Sequence, residues 1–288
     1  MIKEKAWAKL NLNLHLIPKK LKNDLYPVRF INCQINLFDE LSFKSINKNV
    51  EIVCDNNNFK KEENLVYRTA ILLKKLIKDQ NLGAKIYFKK NIPIKTGLAG
   101  GSADAAATIT GLSKLWQIKL DQNQLDYLAH ELGKDVYYCL RGGLCQIEGD
   151  GSKVISLASK LSKLWLVIIT PEEKKPSTAW MYNNLDINNI GKNQSKLEKI
   201  KQAIKFGNKK EILENLHNDF EPLAVKCCPK ITSIKSDLIN NDALDTLLAG
   251  SGFSIVGFFD SKNEAVNAFN NLKVKYKNIF YASTKQIL

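Results

Sequence analysis

Residues 97–107 read GLAGGSADAAA: Gly97, Gly100 and Gly101 crowd against Ser102, and Ala103 to Ala107 open a run of high helix propensity. Glycine lets the backbone turn sharply and approach a ligand closely. Backbone amides in such a loop, with the unpaired N–H groups at the start of the helix that follows, form a concave positive site suited to a triphosphate. Ser102 is placed to cap that helix, or to turn its hydroxyl toward a phosphate or Mg²⁺. The loop has neither the GK[ST] ending of a Walker A motif nor GxGxxG spacing, so it is not a P-loop and not a dinucleotide fingerprint. Read alone, the same small residues would also serve close helix packing.

The elements that must hold this loop can be read on either side of it. Residues 6–16 alternate apolar with polar positions, and 30–38 and 41–54 are rich in apolar and β-branched residues, so three strands are expected. Apolar residues at helical spacing from 62 to 78, with Glu62 and Glu63 suited to the first turn, predict a helix. Residues 84–90 read as another strand. Asp121 and Gln124 form a capping-box pattern for a helix to Leu132, which Gly133 ends, leaving Asp135 just beyond. Strands follow at 143–148 and 153–157, joined by Gly149-Asp150-Gly151. The pattern restarts near residue 158, with a strand at 164–170, helices between 177 and 241, and a strand, helix, strand finish from 244 to 283. Two domains are expected, 1–158 and 159–288, the second an α+β domain with an antiparallel sheet.

The chain has 288 residues, 44% hydrophobic and 25% charged, a soluble globular profile. No stretch approaches the ~20 apolar residues of a membrane helix, and no signal-like segment opens the chain, so the cytoplasm is the expected address. Six cysteines without a CxxC pair fit reduced, structural thiols. The formal charge of +14 would favour phosphorylated ligands or nucleic acid, but its lysines are dispersed among asparagines and isoleucines and form no arginine-rich block.

The segment PIKTGLAGGSADAAA, 93–107, resembles the phosphate-binding motif PxxxGLGGGSSDAA of the GHMP kinases, in the form typical of the diphosphocytidyl-methylerythritol kinases, with Ala99 and Ala103 where glycine and serine are common. The resemblance runs the full length in order. AKLNLNL, 8–14, is similar to the first motif AKINLxL, and ENLV, 63–66, to the helix start near the adenine. Gly133-Lys134-Asp135-Val136 resembles GaDVP with Tyr137 in place of proline. STAWMY, 177–182, is similar to STAwvY, NDFEP, 218–222, to NDlEp, and LAGSG, 248–252, to the third motif, mtGSGs. One departure stands out: where the family has G-Y-H, this chain has Leu25-Tyr26-Pro27, keeping the tyrosine and losing the histidine that helps read cytosine.

The resemblance implies an N-terminal domain of the ribosomal protein S5 domain 2-like type and a C-terminal ferredoxin-like α/β-plait domain. It implies ATP- and Mg²⁺-dependent phosphorylation of the 2-hydroxyl of 4-diphosphocytidyl-2-C-methyl-D-erythritol in the non-mevalonate isoprenoid pathway. Residue by residue, it implies Asp135 as general base with Lys9 as cationic partner. Pro93, Gly97, Leu98, Ala99, Gly100, Gly101, Ser102 and Ala103 would bind the ATP phosphates, with Ser102 also a candidate Mg²⁺ ligand. Asn64 and Leu65 would lie toward adenine, and Asn11, Tyr26, Thr178 and Tyr182 on the substrate. Gly250, Ser251 and Gly252 would form a supporting loop.

The chemistry is coherent, since phosphoryl transfer is catalysed by positioning and charge neutralisation, and a carboxylate near the acceptor hydroxyl can take its proton. Taken singly, Lys9 would be a solvated strand residue and Asp135 a turn or cap residue. Two further readings stay open: another GHMP alcohol kinase of the homoserine or mevalonate type, or a non-catalytic nucleotide- or RNA-binding protein of the same fold. The expected partner is a small molecule, cytidine diphosphate-linked methylerythritol, with no nucleic acid or membrane, on a monomer or weak homodimer. His15, His130 and His217 look isolated, Trp116 looks like core packing behind the loop, and Cys227-Cys228 lacks the basic or metal-ligand context of a redox pair.

Overall fold

The alternation at residues 6–16 belongs to a longer strand, β1 (Ile2–Leu16). The computed structural model describes residues 1–21, 25–55, 61–94, 96–158 and 161–285. β2 (Val28–Ser45) runs unbroken across residues 39 and 40, where the sequence suggested that one strand ended and another began. The reason is Asp39, a turn-like residue that is fully buried here. Its carboxylate accepts hydrogen bonds from the N–H groups of Asn91 and Ile92, at 2.5 and 2.7 Å, and pairs with the Lys90 ammonium, so burial leaves it satisfied. The chain breaks instead at 46–49, where Lys48 adopts a φ of 59°, before β3 (Val50–Cys54).

The chain divides into two compact units. The first comprises Met1–Ala8, Leu37–Ile94 and Ala99–Arg141, and the second Lys9–Asn36, Lys95–Leu98 and Gly142–Leu288, so β1 and β2 each contribute to both.

In the first unit, α1 (Leu65–Ile77), β4 (Ala84–Lys89), α2 (Gly100–Leu115), α3 (Gln122–Leu132) and α4 (Asp135–Arg141) follow β3. β3 runs parallel to β4, which is antiparallel to the second half of β2. Helix α1 starts later than Glu62 and Glu63 suggested. Those two fall in a short 3-10 turn, and Asn64 caps the α-helix by accepting a hydrogen bond from Val66 N–H at 2.8 Å, because an amide oxygen on the cap satisfies an orphan donor that nearby charge alone does not. The Asp121 and Gln124 capping box forms as its spacing predicts, and Gly133 ends α3. Apolar residues including Phe43, Leu73, Ile86 and Leu112 make the core, against which Trp116 packs while its Nε1 donates to Gly83 O at 3.1 Å. Ala103 to Ile109 are all buried, so the middle of α2 is enclosed on every side, as a small-residue helix allows.

The second unit continues with β5 (Cys145–Gly149), β6 (Lys153–Ser156), β7 (Trp165–Ile169), α5 (Thr178–Asn183), α6 (Ser195–Phe206), α7 (Lys209–Glu214) and β8 (His217–Asn218). It finishes with α8 (Glu221–Cys227), α9 (Lys230–Ile239), β9 (Asp245–Leu248), β10 (Ile255–Phe259), α10 (Lys262–Leu272) and β11 (Ile279–Ser283). The expected antiparallel sheet is present, in the order β11-β7-β10-β9, with α9 and α10 packed on its strands. β5 pairs antiparallel with the first residues of β2 and with β6, and β8 runs parallel to β1, bringing Asn13 opposite His217 and Leu14 opposite Asn218. Among the described residues, no helix is long and apolar enough to cross a membrane.

Candidate active site

Alternation along β1 puts Lys9, Asn11, Asn13 and His15 on one face, and all four are buried. Lys9 Nζ donates to Asn11 Oδ1 at 2.6 Å, and Asn11 Nδ2 donates to Asn32 Oδ1 at 2.6 Å, so the ammonium is fixed by a chain of two amides. Asn32 carried no motif signal in the sequence, because its partner comes from a different strand.

The same unit brings two glycine loops together. A Cβ on Gly97, whose φ is +88°, would lie 1.8 Å from Ala249 O, and one on Gly252 would lie 2.3 Å from Thr96 O. Only backbone fits between the loops. Lys9 N–H donates to Leu98 O at 3.1 Å, tying β1 to the first loop. Lys9 Nζ and Asn11 Oδ1 lie 3.3 and 3.4 Å from the Cβ position of Gly250. Asn218 Nδ2 donates to both Leu248 O and Gly250 O, at 2.8 and 2.7 Å, and so clamps the second loop from β8. Lys9, Asn11, Gly97, Leu98, Gly250 and Gly252 are therefore one cluster.

The remaining substrate-side candidates in this unit are more varied. Tyr26 is buried, 7% exposed, with the Lys20 ammonium 5.7 Å from its ring centre. Tyr182 sits edge-on to Phe220, ring centres 5.0 Å apart. Thr178 is exposed, and its hydroxyl accepts from Lys175 Nζ at 2.9 Å. Lys175 Nζ also donates to Ser251 Oγ at 3.1 Å, joining the start of α5 to the second glycine loop. That lysine lies between motifs, and no spacing marked it.

In the first unit, α2 begins at Gly100, with Ala99 at the N-cap in a left-handed conformation, φ 55°, and no side chain caps the helix. Ser102 is thus inside the first turn and does not act as the cap the sequence allowed, because the helix starts two residues before it. The first intrahelical bond runs from Ala103 N–H to Ala99 O at 2.9 Å. The amides of the first turn, left without a side-chain cap, and the Ser102 hydroxyl form a donor set that fits phosphate oxygens. Asn64, at the start of α1, uses its side-chain oxygen as a cap, and Leu65 packs on the core. Pro93 is half-buried in the loop that leaves β4.

Lys90 Nζ lies 2.9 Å from the Cβ position of Gly100. This ammonium contacts Asp39 and, at 2.8 Å, Asp104 Oδ2, so a buried ionic trio underlies the helix start. Burial pushes the Asp104 carboxyl well above its usual range; Lys90 opposes this and the Asp39 carboxylate reinforces it. Asp135 is the first residue of α4, half-buried. Tyr137 donates its hydroxyl to Asp126 O at 3.0 Å and so ties α4 back to α3.

The three histidines divide. His130 is exposed beside Glu131, as expected of a surface residue. His15 and His217 are not isolated: strand pairing stacks their rings, centroids 4.7 Å apart. No spacing in the sequence marks this stack, since the pairing depends on β8 docking beside β1.

Comparison with known proteins agrees with these motifs. The model of the GHMP kinases N terminal domain matches residues 64–143, and that of the GHMP kinases C terminal matches residues 194–278. Proteins named 4-diphosphocytidyl-2-C-methyl-D-erythritol kinase from Caldicellulosiruptor bescii and Caldicellulosiruptor saccharolyticus are 36% and 37% identical. The alignments cover 98% of both chains in the first case, and 97% of this chain and 96% of the relative in the second. A crystal structure of 4-(cytidine 5'-diphospho)-2C-methyl-D-erythritol kinase superposes with a TM-score of 0.83 at 24% identity, covering 98% of each chain. A crystal structure of L. major mevalonate kinase shares the fold, with a TM-score of 0.75 at 16% identity, over 99% of this chain and 96% of that one. The chain belongs to the GHMP kinases and, within them, to the 4-diphosphocytidyl-2-C-methyl-D-erythritol kinase family.

Proposed function

We propose that this enzyme transfers the terminal phosphoryl group of ATP to the 2-hydroxyl of 4-diphosphocytidyl-2-C-methyl-D-erythritol, releasing the 2-phosphate and ADP, as a step of non-mevalonate isoprenoid precursor synthesis. The observation that carries the reading is the uncapped, glycine-lined start of α2 in a chain that aligns over nearly its whole length with kinases of that name. Homoserine and mevalonate kinases share the fold at only 18% and 16% identity, which leaves those acceptors, and a non-catalytic role, without comparable support.

In this reading the phosphates rest on the backbone of Gly97 to Ala103, with Pro93 shaping the approach, and Asn64 and Leu65 lie toward adenine. Mg²⁺ bound with the nucleotide would neutralise phosphate charge, with the Ser102 hydroxyl as its protein contact. Asp135 takes the proton of the acceptor hydroxyl. Lys9, held by Asn11, orients that hydroxyl and offsets the negative charge that develops on its oxygen. Tyr26, Thr178 and Tyr182 face the cytidine end, and Gly250 to Gly252 support the loop. Residues 1–158 form the ATP-binding domain and 159–288 the substrate-side domain, in a cytoplasmic monomer or weak homodimer.

A coupled ADP-release assay on the named alcohol, with homoserine and mevalonate as controls, tests the assignment. Asp135→Asn is expected to lower kcat by about 10²- to 10⁴-fold with an unchanged unfolding midpoint. Turnover at the wild-type level would remove Asp135 from the chemistry. Equal turnover on mevalonate or homoserine would move the substrate assignment elsewhere in the superfamily.

A further inference from the structure

Beyond the residues assigned to phosphoryl transfer lies a second cluster with donor atoms to spare. His15, near the end of β1, is fully buried, and neither of its ring nitrogens has a hydrogen-bond partner among the described residues. His217 of β8 stacks on it with the ring planes 19° apart. His217 Nε2 lies 2.7 Å from Asp219 Oδ1, while Asp219 Oδ2 accepts hydrogen bonds from the N–H groups of Leu16 and Gly191 at 2.7 and 3.0 Å. One donor atom from each of the three side chains lies within 4.8 Å of the others.

An unsatisfied buried polar group is destabilising, and a leucine or phenylalanine would fill the place of His15 without that cost. A neutral imidazole has one N–H and one lone pair. At His15 neither is used, while a second imidazole and a carboxylate stand beside it. We propose that His15, His217 and Asp219 form a site for a transition-metal ion of the zinc class, with two imidazole nitrogens and one carboxylate oxygen as protein ligands and water as the fourth.

Ligand atoms ~2.1 Å from a tetrahedral ion stand ~3.4 Å apart, so the present spacing closes onto an ion by modest side-chain rotation. Asp219 is already aimed by its two backbone donors. Two imidazoles and one carboxylate suit metals of the zinc class, whereas Mg²⁺ and Ca²⁺ take oxygen donors. His217 is 17% exposed at its side chain, which gives an ion a way in. Bound there, the metal would brace β1 against β8, next to the Asn218 that clamps the second glycine loop; it would take no part in the reaction.

Chelator-treated full-length protein titrated with Co²⁺, and zinc-edge anomalous diffraction from Zn²⁺-soaked wild-type crystals, test the site. Expected are one equivalent bound at micromolar concentration, nitrogen and oxygen-type d–d bands without thiolate charge transfer, a raised unfolding midpoint, and an anomalous peak bonded to His15 and His217. His217→Asn, near the surface, should weaken binding by about 100-fold or more, as should His15→Leu where it folds. Absence of the bands and peak, a peak on cysteine thiols, binding only at millimolar metal, or unchanged affinity in His217→Asn would each overturn the proposal. The wild-type diffraction result decides it even if His15→Leu does not fold.

Discussion

Beneath α2, Lys90 lies between Asp39 and Asp104, and nearly every atom of this buried ionic group is bonded. Asp39 takes two backbone N–H groups besides the ammonium, and only Asp104 Oδ1 is left over. Along β1 the buried polar row is neutral beyond Lys9, and it is poorly satisfied: both amide atoms of Asn13, both ring nitrogens of His15 and the Nδ2 of neighbouring Asn32 lack partners among the described residues. The first arrangement is built to hold a loop still. The second keeps donors and acceptors in reserve, which a protein retains where a ligand supplies the other half of the bond.

That contrast predicts opposite responses to apolar substitution. Lys90→Met should have the largest effect, a loss of about 3–5 kcal/mol in denaturant unfolding, because it leaves two buried carboxylates facing one another. A loss below 1 kcal/mol would mean that the trio is not a structural anchor. Asn13→Leu should do the reverse and raise stability by about 1 kcal/mol, since it removes a buried amide without partners. A marked loss of stability there would show the amide to be satisfied in solution, and the contrast between the regions would disappear.

The smallest effect is expected for Asp104→Asn, and it is distinguished by its pH dependence. A carboxyl whose folded pKa is raised contributes stability that is full below its unfolded value and is lost as pH rises through the folded one. The asparagine variant should therefore gain on the wild type as pH rises toward neutrality, and the two stability curves should converge in acid. Curves that stay parallel from acid to neutral pH would show that Asp104 titrates normally.

Local chemistry was the legible part of the fold. The capping box at Asp121, the helix stop at Gly133 and the antiparallel sheet of the second half follow from short-range patterns, and the structure has them. Misreadings arose where a distant partner changes what a residue can do. Asp39 signals a turn unless Lys90 and the amides of Asn91 and Ile92 arrive to bury it, and Glu62 and Glu63 signal a helix start unless the adjacent Asn64 provides a better cap. At the candidate site, contiguous motifs revealed Lys9, Asn11 and the glycine loops. Asn32, Lys175 and the stacked histidines escaped notice because each acquires its meaning from a residue on another element, at sequence separations from 21 in the first case to 202 in the last.

The glycine loops at 96–98 and 249–252 meet main chain against main chain, with Ala249 O where a methyl group on Gly97 would have to be. Such a joint contains no rotamers, so it has no slack. A shift in either loop is handed directly to the other and, through the Leu98 carbonyl, to the strand that carries Lys9. The strand that carries Lys9 is thus tied, backbone to backbone, to residues some 240 places further along the chain.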